Sequence, residues 1–82
     1  MNMFYVYMVK CNDGTFYVGS TTDIERRLHQ HNTSKAGAHY TKIRRPVTMV
    51  YSESCPTYAA ARAREGALKR LTRQEKMALV EK

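Results

Sequence analysis

The chain has 82 residues, with fourteen Lys and Arg against seven Asp and Glu, a net charge of +7 and a pI near 9.7. A chain this short is one domain and buries only about 60% of its unfolded surface, which excludes a deep internal cavity and leaves a surface or shallow groove for any substrate. Cys11 and Cys55 stand outside any Cys-x-x-Cys or Cys/His array, and no apolar run approaches ~20 residues, so the expectation is a reduced, cytoplasmic protein without a leader or membrane span.

The charge is unevenly placed. No acid occurs between Glu25 and Glu53, a window that holds Arg26, Arg27, Lys35, Lys42, Arg44 and Arg45. A second basic cluster, Arg62, Arg64, Lys69, Arg70 and Arg73, is interrupted only by Glu65. Charge runs are usually solvated surface, but two such clusters at this pI favour a polyanionic partner.

In chain order, residues 4–10 and 15–20 alternate aromatic and β-branched residues around Asn12-Asp13-Gly14 and read as a β-hairpin. Thr22 with Glu25 reads as a capping box opening a helix to about Asn32, with Ile24 and Leu28 on its buried face. Asn32 to Pro46 lacks periodicity and reads as a loop with room for one helical turn. Val47–Glu53 is a third strand, ended by Cys55-Pro56. Thr57 is a fair N-cap for an alanine-rich helix, and Thr72 with Glu75 is a second capping box for a last helix with Met77 and Val80 inward. The expected fold is α+β, a small three-stranded antiparallel sheet flanked by helices in the order β-β-α-β-α-α, with the helices on one side of the sheet. Gly66, inside a helix, costs about 1 kcal/mol relative to Ala and suggests close packing.

The hairpin register decides what the tyrosines do. A two-residue Asp13-Gly14 turn would put Tyr7 and Tyr17 on opposite faces. A three-residue loop with Gly14 in the left-handed bulge position pairs Cys11 with Thr15, Val9 with Tyr17 and Tyr7 with Gly19. That register sorts Phe4, Val6, Met8, Phe16 and Val18 onto one apolar face. It leaves Tyr5, Tyr7, Val9, Tyr17 and Gly19 on the other, so the longer loop is expected and Tyr7 and Tyr17 become neighbours. Half-buried tyrosines commonly just bridge core and solvent; two held together beside a glycine and a basic segment suggest a site.

These residues carry a resemblance. "YVY" at Tyr5–Tyr7 and "YVG" at Tyr17–Gly19 resemble the two halves of the GIY-YIG signature. "STTDIERRLHQHN" is similar to that superfamily's first helix, with Arg27 ten residues past the second tyrosine and His31 four further on. Glu65 in "ARAREGALKRL" matches the glutamate of a later helix. With "GAHYT" and "RRP" in the loop, the layout resembles small stand-alone bacterial members and the nuclease domain of the endonuclease that cuts branched DNA. It departs from the pattern at Tyr5, where the family has glycine, and no Asn follows Asn32.

The resemblance implies a metal-dependent endonuclease acting on DNA, branched or single-stranded, with a role in repair or recombination and RNA as an open alternative. It implies Tyr7, Tyr17, Arg27, His31 and Glu65 as catalytic residues, with one Mg²⁺, or another divalent cation such as Mn²⁺, on Glu65. A lone carboxylate suits Mg²⁺, which keeps several waters, although an i, i+4 pair of Glu65 with Lys69 is the plain alternative. Arg27 and His31 share a helix face. Arg27 suits a phosphate clamp, and His31 suits either accepting a proton or bonding a phosphate oxygen. One tyrosine would act as base while the other positions the water; the sequence does not say which. Gly19 would let substrate approach the strand, and Arg26, Lys35, His39, Lys42, Arg44 and Arg45 would contact phosphates, which position without specifying. The competing readings are a nucleic-acid-binding module that does not cut and a basic protein-binding or ribosome-associated domain.

Overall fold

The computed structural model describes residues 3–33 and 39–81, without the His39 side chain. Its elements are β1 (Phe4–Lys10), β2 (Phe16–Thr21), α1 (Ile24–Thr33), α2 (His39–Lys42), β3 (Thr48–Cys55), α3 (Tyr58–Lys69) and α4 (Arg73–Val80). The strands form one antiparallel sheet in the order β2-β1-β3. Among the described residues, no helix is long and apolar enough to cross a membrane.

The hairpin takes the three-residue loop. Gly14 sits at φ 86°, its amide bonds the Cys11 carbonyl at 2.9 Å, and the Cys11 amide bonds the Thr15 carbonyl at 2.8 Å. Tyr7 pairs with Gly19 and Val9 with Tyr17. Because side chains alternate along a strand, the central strand feeds two cores. Val6 and Met8 pack with Val18, Cys55, and Ala61 and Leu68 of α3. Tyr7 and Val9 pack with Cys11 and Val47, flanked by Tyr17, Leu28, Tyr40 and Met49. Both cysteines are buried free thiols, one in each core.

Several expectations are corrected. The helices lie on both faces of the sheet: α3 and α4 pack on the Val6–Met8 face, α1 and α2 on the Tyr7–Val9 face. The reason is the second buried row of β1, which needs its own cover. The first helix is capped by Asp23 rather than Thr22, since the Arg26 amide bonds Asp23 Oδ1 at 3.0 Å and the Arg27 amide its carbonyl at 3.0 Å. The third strand continues two residues past Glu53 to Cys55, paired with Phe4 and Tyr5 of β1. In the last helix Met77 is 39% exposed, and Leu79 joins Val80 against the core. Thr57 and the Thr72–Glu75 capping box are formed as expected. Close packing does not account for Gly66, where an added Cβ would meet only Arg70 Nη1 at 3.6 Å.

The register hangs on Gly14, the one positive-φ residue among those described. Replacing it with Ala puts a Cβ into the left-handed region and is expected to cost about 1–2 kcal/mol, read as a lower urea midpoint with an unchanged m-value.

Candidate active site

The site is built around a buried hydroxyl. Tyr7, 1% exposed, projects from the central strand, and its Oη lies 2.7 Å from Nε2 of His31, which is 0% exposed. Space for that hydroxyl exists because residue 19 of the neighbouring strand has no side chain: a Cβ there would sit 2.6 Å from Tyr7 Oη and 2.8 Å from its Cζ. Gly19 thus makes room for the Tyr7 hydroxyl, a steric reason for glycine that the sequence did not offer.

α1 presents the rest. Arg27 lies one turn before His31 and donates from Nε to Tyr7 Oη at 3.4 Å and from Nη1 to Gln30 Oε1 at 3.0 Å. On the far side of the imidazole, Nδ1 lies 2.7 Å from Oγ1 of Thr41, itself 0% exposed, on α2. Tyr17 stands edge-on to the His31 ring at 5.3 Å between centroids and stacks on Tyr40 at 6.0 Å. His31 is fully buried, and its two ring nitrogens meet Tyr7 and Thr41.

Burial also sets the protonation. Desolvation, followed by the charges of Arg27 and Arg45, lowers the His31 pKa from 6.5 to about 4, so the ring is neutral at pH 7. Burial raises the Tyr7 phenol above its ordinary value against the opposing pull of Arg27.

Glu65 comes from the other side of the sheet. It is 8% exposed on α3, accepts from Ser20 Oγ at Oε1 (2.8 Å), which also lies 4.0 Å from Arg62 Nη1, and pairs at Oε2 with Lys69 Nζ (2.7 Å). Burial pushes this carboxyl up, but the Lys69 and Ser20 hydrogen bonds and the nearby cations outweigh it and hold it below the usual value, leaving it ionised. Ser20 follows Gly19, so two adjacent residues of β2 join the halves: Gly19 under Tyr7, Ser20 to Glu65. The plain Glu65–Lys69 pair is therefore present, and Glu65 also has a strand contact that a surface pair would lack.

Among the described residues, no three His, Cys, Asp or Glu side chains gather as a metal cluster. The donors present fit a hard divalent cation held by one ionised carboxylate, with water and phosphate oxygens completing its shell.

The expected phosphate-contacting residues divide. Arg26 is exposed on α1 and Lys42 half-buried on α2. Arg44 and Arg45 have structural partners. Arg44 pairs with Asp13 at 3.0 Å, donates to the Tyr40 carbonyl at 3.0 Å and stacks on the Tyr40 ring at 3.9 Å, tying the α2 segment to the hairpin loop. Arg45 donates from Nε to the His31 carbonyl at 2.5 Å. Lys35 and the His39 side chain lie outside the described residues. Sequence reasoning missed Thr41 and Ser20. Ser20 had a signal in its place beside Gly19; Thr41, in an aperiodic loop, had none. It also missed Asn32, whose side chain clamps the Val47 backbone at 2.8 and 3.0 Å.

A three-stranded β-β-α-β-α-α domain with Tyr7, Tyr17, Arg27 and His31 on one face of the sheet and Glu65 bonded to Ser20 from the other defines a class. The chain belongs to the GIY-YIG family of nuclease-type domains: the GIY-YIG catalytic domain matches residues 3–78. Its relatives are small proteins. It is 50% identical over 76 residues to UPF0213 protein DP2720 of Desulfotalea psychrophila, covering 93% of this chain and 69% of that one. It is 47% identical over 81 residues to UPF0213 protein SERP0126 of Staphylococcus epidermidis, covering 99% and 98%. The fold is similar to two solution NMR structures. They are UPF0213 protein BH0048 of Bacillus halodurans (TM-score 0.60, 41% identity, 99% of this chain and 84% of that one) and EF2693 of E. faecalis (TM-score 0.66, 42% identity, 99% and 85%).

Two outcomes follow from this geometry. Gly19→Ala is expected to expel the Tyr7 hydroxyl from its place and cost about 1–3 kcal/mol through overpacking. Tyr7→Phe in the same background is expected to recover part of that loss in chemical denaturation. Acid is expected to weaken the fold through His31. Unfolded, it takes its proton near 6.5, and folded only near 4, so between those values the unfolded chain holds more protons. Stability falls as pH drops through that window, by up to about 3 kcal/mol. In a series of urea unfolding curves, the pH slope should flatten in His31→Gln.

Proposed function

We propose that the protein is a metal-dependent endonuclease that hydrolyses phosphodiester bonds of DNA, selecting structure more than sequence. The observation that supports this best is that adjacent residues of β2 serve both groups, Gly19 seating the Tyr7–His31–Arg27 cluster and Ser20 bonding an ionised Glu65. The charge of +7 suits a polyanionic substrate.

The steps follow from the partners each group has. The scissile phosphate draws Arg27 off Tyr7, whose 3.4 Å contact is long and easily exchanged for a charge-assisted one. This uncovers the Tyr7 oxygen. It also pairs off one of the two cations that depress His31, so the ring becomes a better base when substrate is present. The attacking water loses a proton to Tyr7 as Tyr7 passes its own to His31 Nε2. The new P–O bond forms as the bond to the leaving oxygen breaks, and that oxygen takes a proton from solvent. The products are a phosphomonoester and an alcohol. Tyr17, against the His31 ring, positions the water. Glu65 would hold a divalent cation, which would supply positive charge to the phosphate in the transition state. Glu65 itself is kept ionised and aimed by Ser20, and Lys69 must yield Oε2 for an ion to take it.

The test uses labelled single-stranded, duplex and branched DNA with Mg²⁺ or EDTA. Wild type is expected to cut only with the metal, and Glu65→Ala and Tyr17→Phe to lose about a hundredfold or more while still binding. Binding without cleavage by wild type would instead establish the module that does not cut.

A further inference from the structure

We propose that Thr41 is a positioning residue for this reaction: its hydroxyl accepts the Nδ1 proton of His31 and so fixes the tautomer in which Nε2 faces Tyr7 as an acceptor. The proposal rests on the reading of Tyr7 as the group that takes the water's proton, but its first test does not.

The argument is a count of donors in a closed space. Tyr7 Oη meets two nitrogens, Arg27 Nε at 3.4 Å and His31 Nε2 at 2.7 Å. The guanidinium can only donate. If Nε2 also carried a proton, two donors would converge on one phenol oxygen in a residue 1% exposed, and the phenol's own proton would have to point elsewhere. With Nε2 unprotonated, the Tyr7 proton has its acceptor at 2.7 Å and the oxygen keeps its lone pairs for Arg27 and later for water.

A neutral imidazole then carries its hydrogen on Nδ1, and a buried N–H without a partner costs about 1–3 kcal/mol. Thr41 Oγ1 is the atom at hydrogen-bond distance, 2.7 Å away on a side chain that is itself 0% exposed. A hydroxyl has two lone pairs and one proton, so it accepts from Nδ1 and retains its own proton for a further acceptor. The donors then run in one direction, from Arg27 through Tyr7 and His31 to Thr41. In that order a proton arriving on Tyr7 has a route to Nε2, and the imidazolium that forms stays bonded on both sides. Reversed, with Nε2–H aimed at Tyr7, the route is closed.

The test is ¹⁵N NMR of the ring nitrogens of ring-labelled histidine in the whole protein, with His31 assigned by comparison with His31→Gln. At neutral pH the wild type and Thr41→Ser are expected to show a protonated Nδ1 and an unprotonated Nε2. Thr41→Val keeps the shape and removes the acceptor, and is expected to move the proton to Nε2. Cleavage of the best DNA substrate is expected to fall about tenfold or more in Thr41→Val and to recover in Thr41→Ser. A protonated Nε2 in the wild type overturns the proposal, as does a tautomer in Thr41→Val equal to that of the wild type. If Thr41→Val does not fold, the wild-type and Thr41→Ser spectra decide alone. The expected spectra with no cleavage by wild type would remove the nuclease reading and leave the tautomer assignment standing.

Discussion

A hydrogen bond between the Tyr7 phenol and the His31 imidazole, sealed between the sheet and its first long helix, organises the molecule. Two polar groups buried at 1% and 0% exposure must satisfy each other or cost several kcal/mol. Each neighbour follows from that requirement. Gly19 leaves space for the hydroxyl, Arg27 covers it, Thr41 serves the second ring nitrogen, and Arg45 holds the carbonyl of His31. The network is closed: among the described residues no buried side-chain nitrogen or oxygen lacks a partner. A closed polar network is rigid, which suits a site whose charged neighbours must be held in place.

The same arrangement explains how so small a domain divides its work. β1 is covered on both faces and carries an apolar row and a tyrosine row. The apolar row packs against α3, and the tyrosine row packs against α1 around the buried Tyr7–His31 pair. On the edge strand β2, Gly19 and Ser20 serve one side each, Gly19 beneath Tyr7 and Ser20 bonded to Glu65. An edge is where a surface-bound polymer has access, and Glu65 is kept ionised there among Lys69, Arg62 and the Ser20 hydroxyl.

The positive charge is also divided. Arg44 and Arg45 fasten the segment after α2 to the hairpin loop and to α1, and Arg64 pairs with Glu53 at 2.7 Å. Arg26 and Arg70 remain on the exposed surface, as do Arg62 and Lys69, which also flank Glu65. Composition counts all of these alike; the fold assigns some to construction and leaves others facing outward.

Much was legible from residues alone because it depends on local chemistry. The alternation in "FYVYMVK" and "TFYVGS", with Gly14 able to take φ 86°, determined the hairpin register and hence that Tyr7 and Tyr17 share a face. The Thr57 and Thr72 caps, the four-residue spacing of Arg27 and His31, and the family signature were likewise set within a few residues of themselves. What only the tertiary structure decided lies between distant segments. The helices divide between two faces because β1 buries both its rows. Thr41 meets His31 across ten residues of chain, and Ser20 meets Glu65 across forty-five. Gly19 is small for the sake of a tyrosine on the next strand. Periodicity and capping are properties of one element, whereas closing a buried hydrogen-bond network requires groups from several, and no single stretch of sequence contains them all.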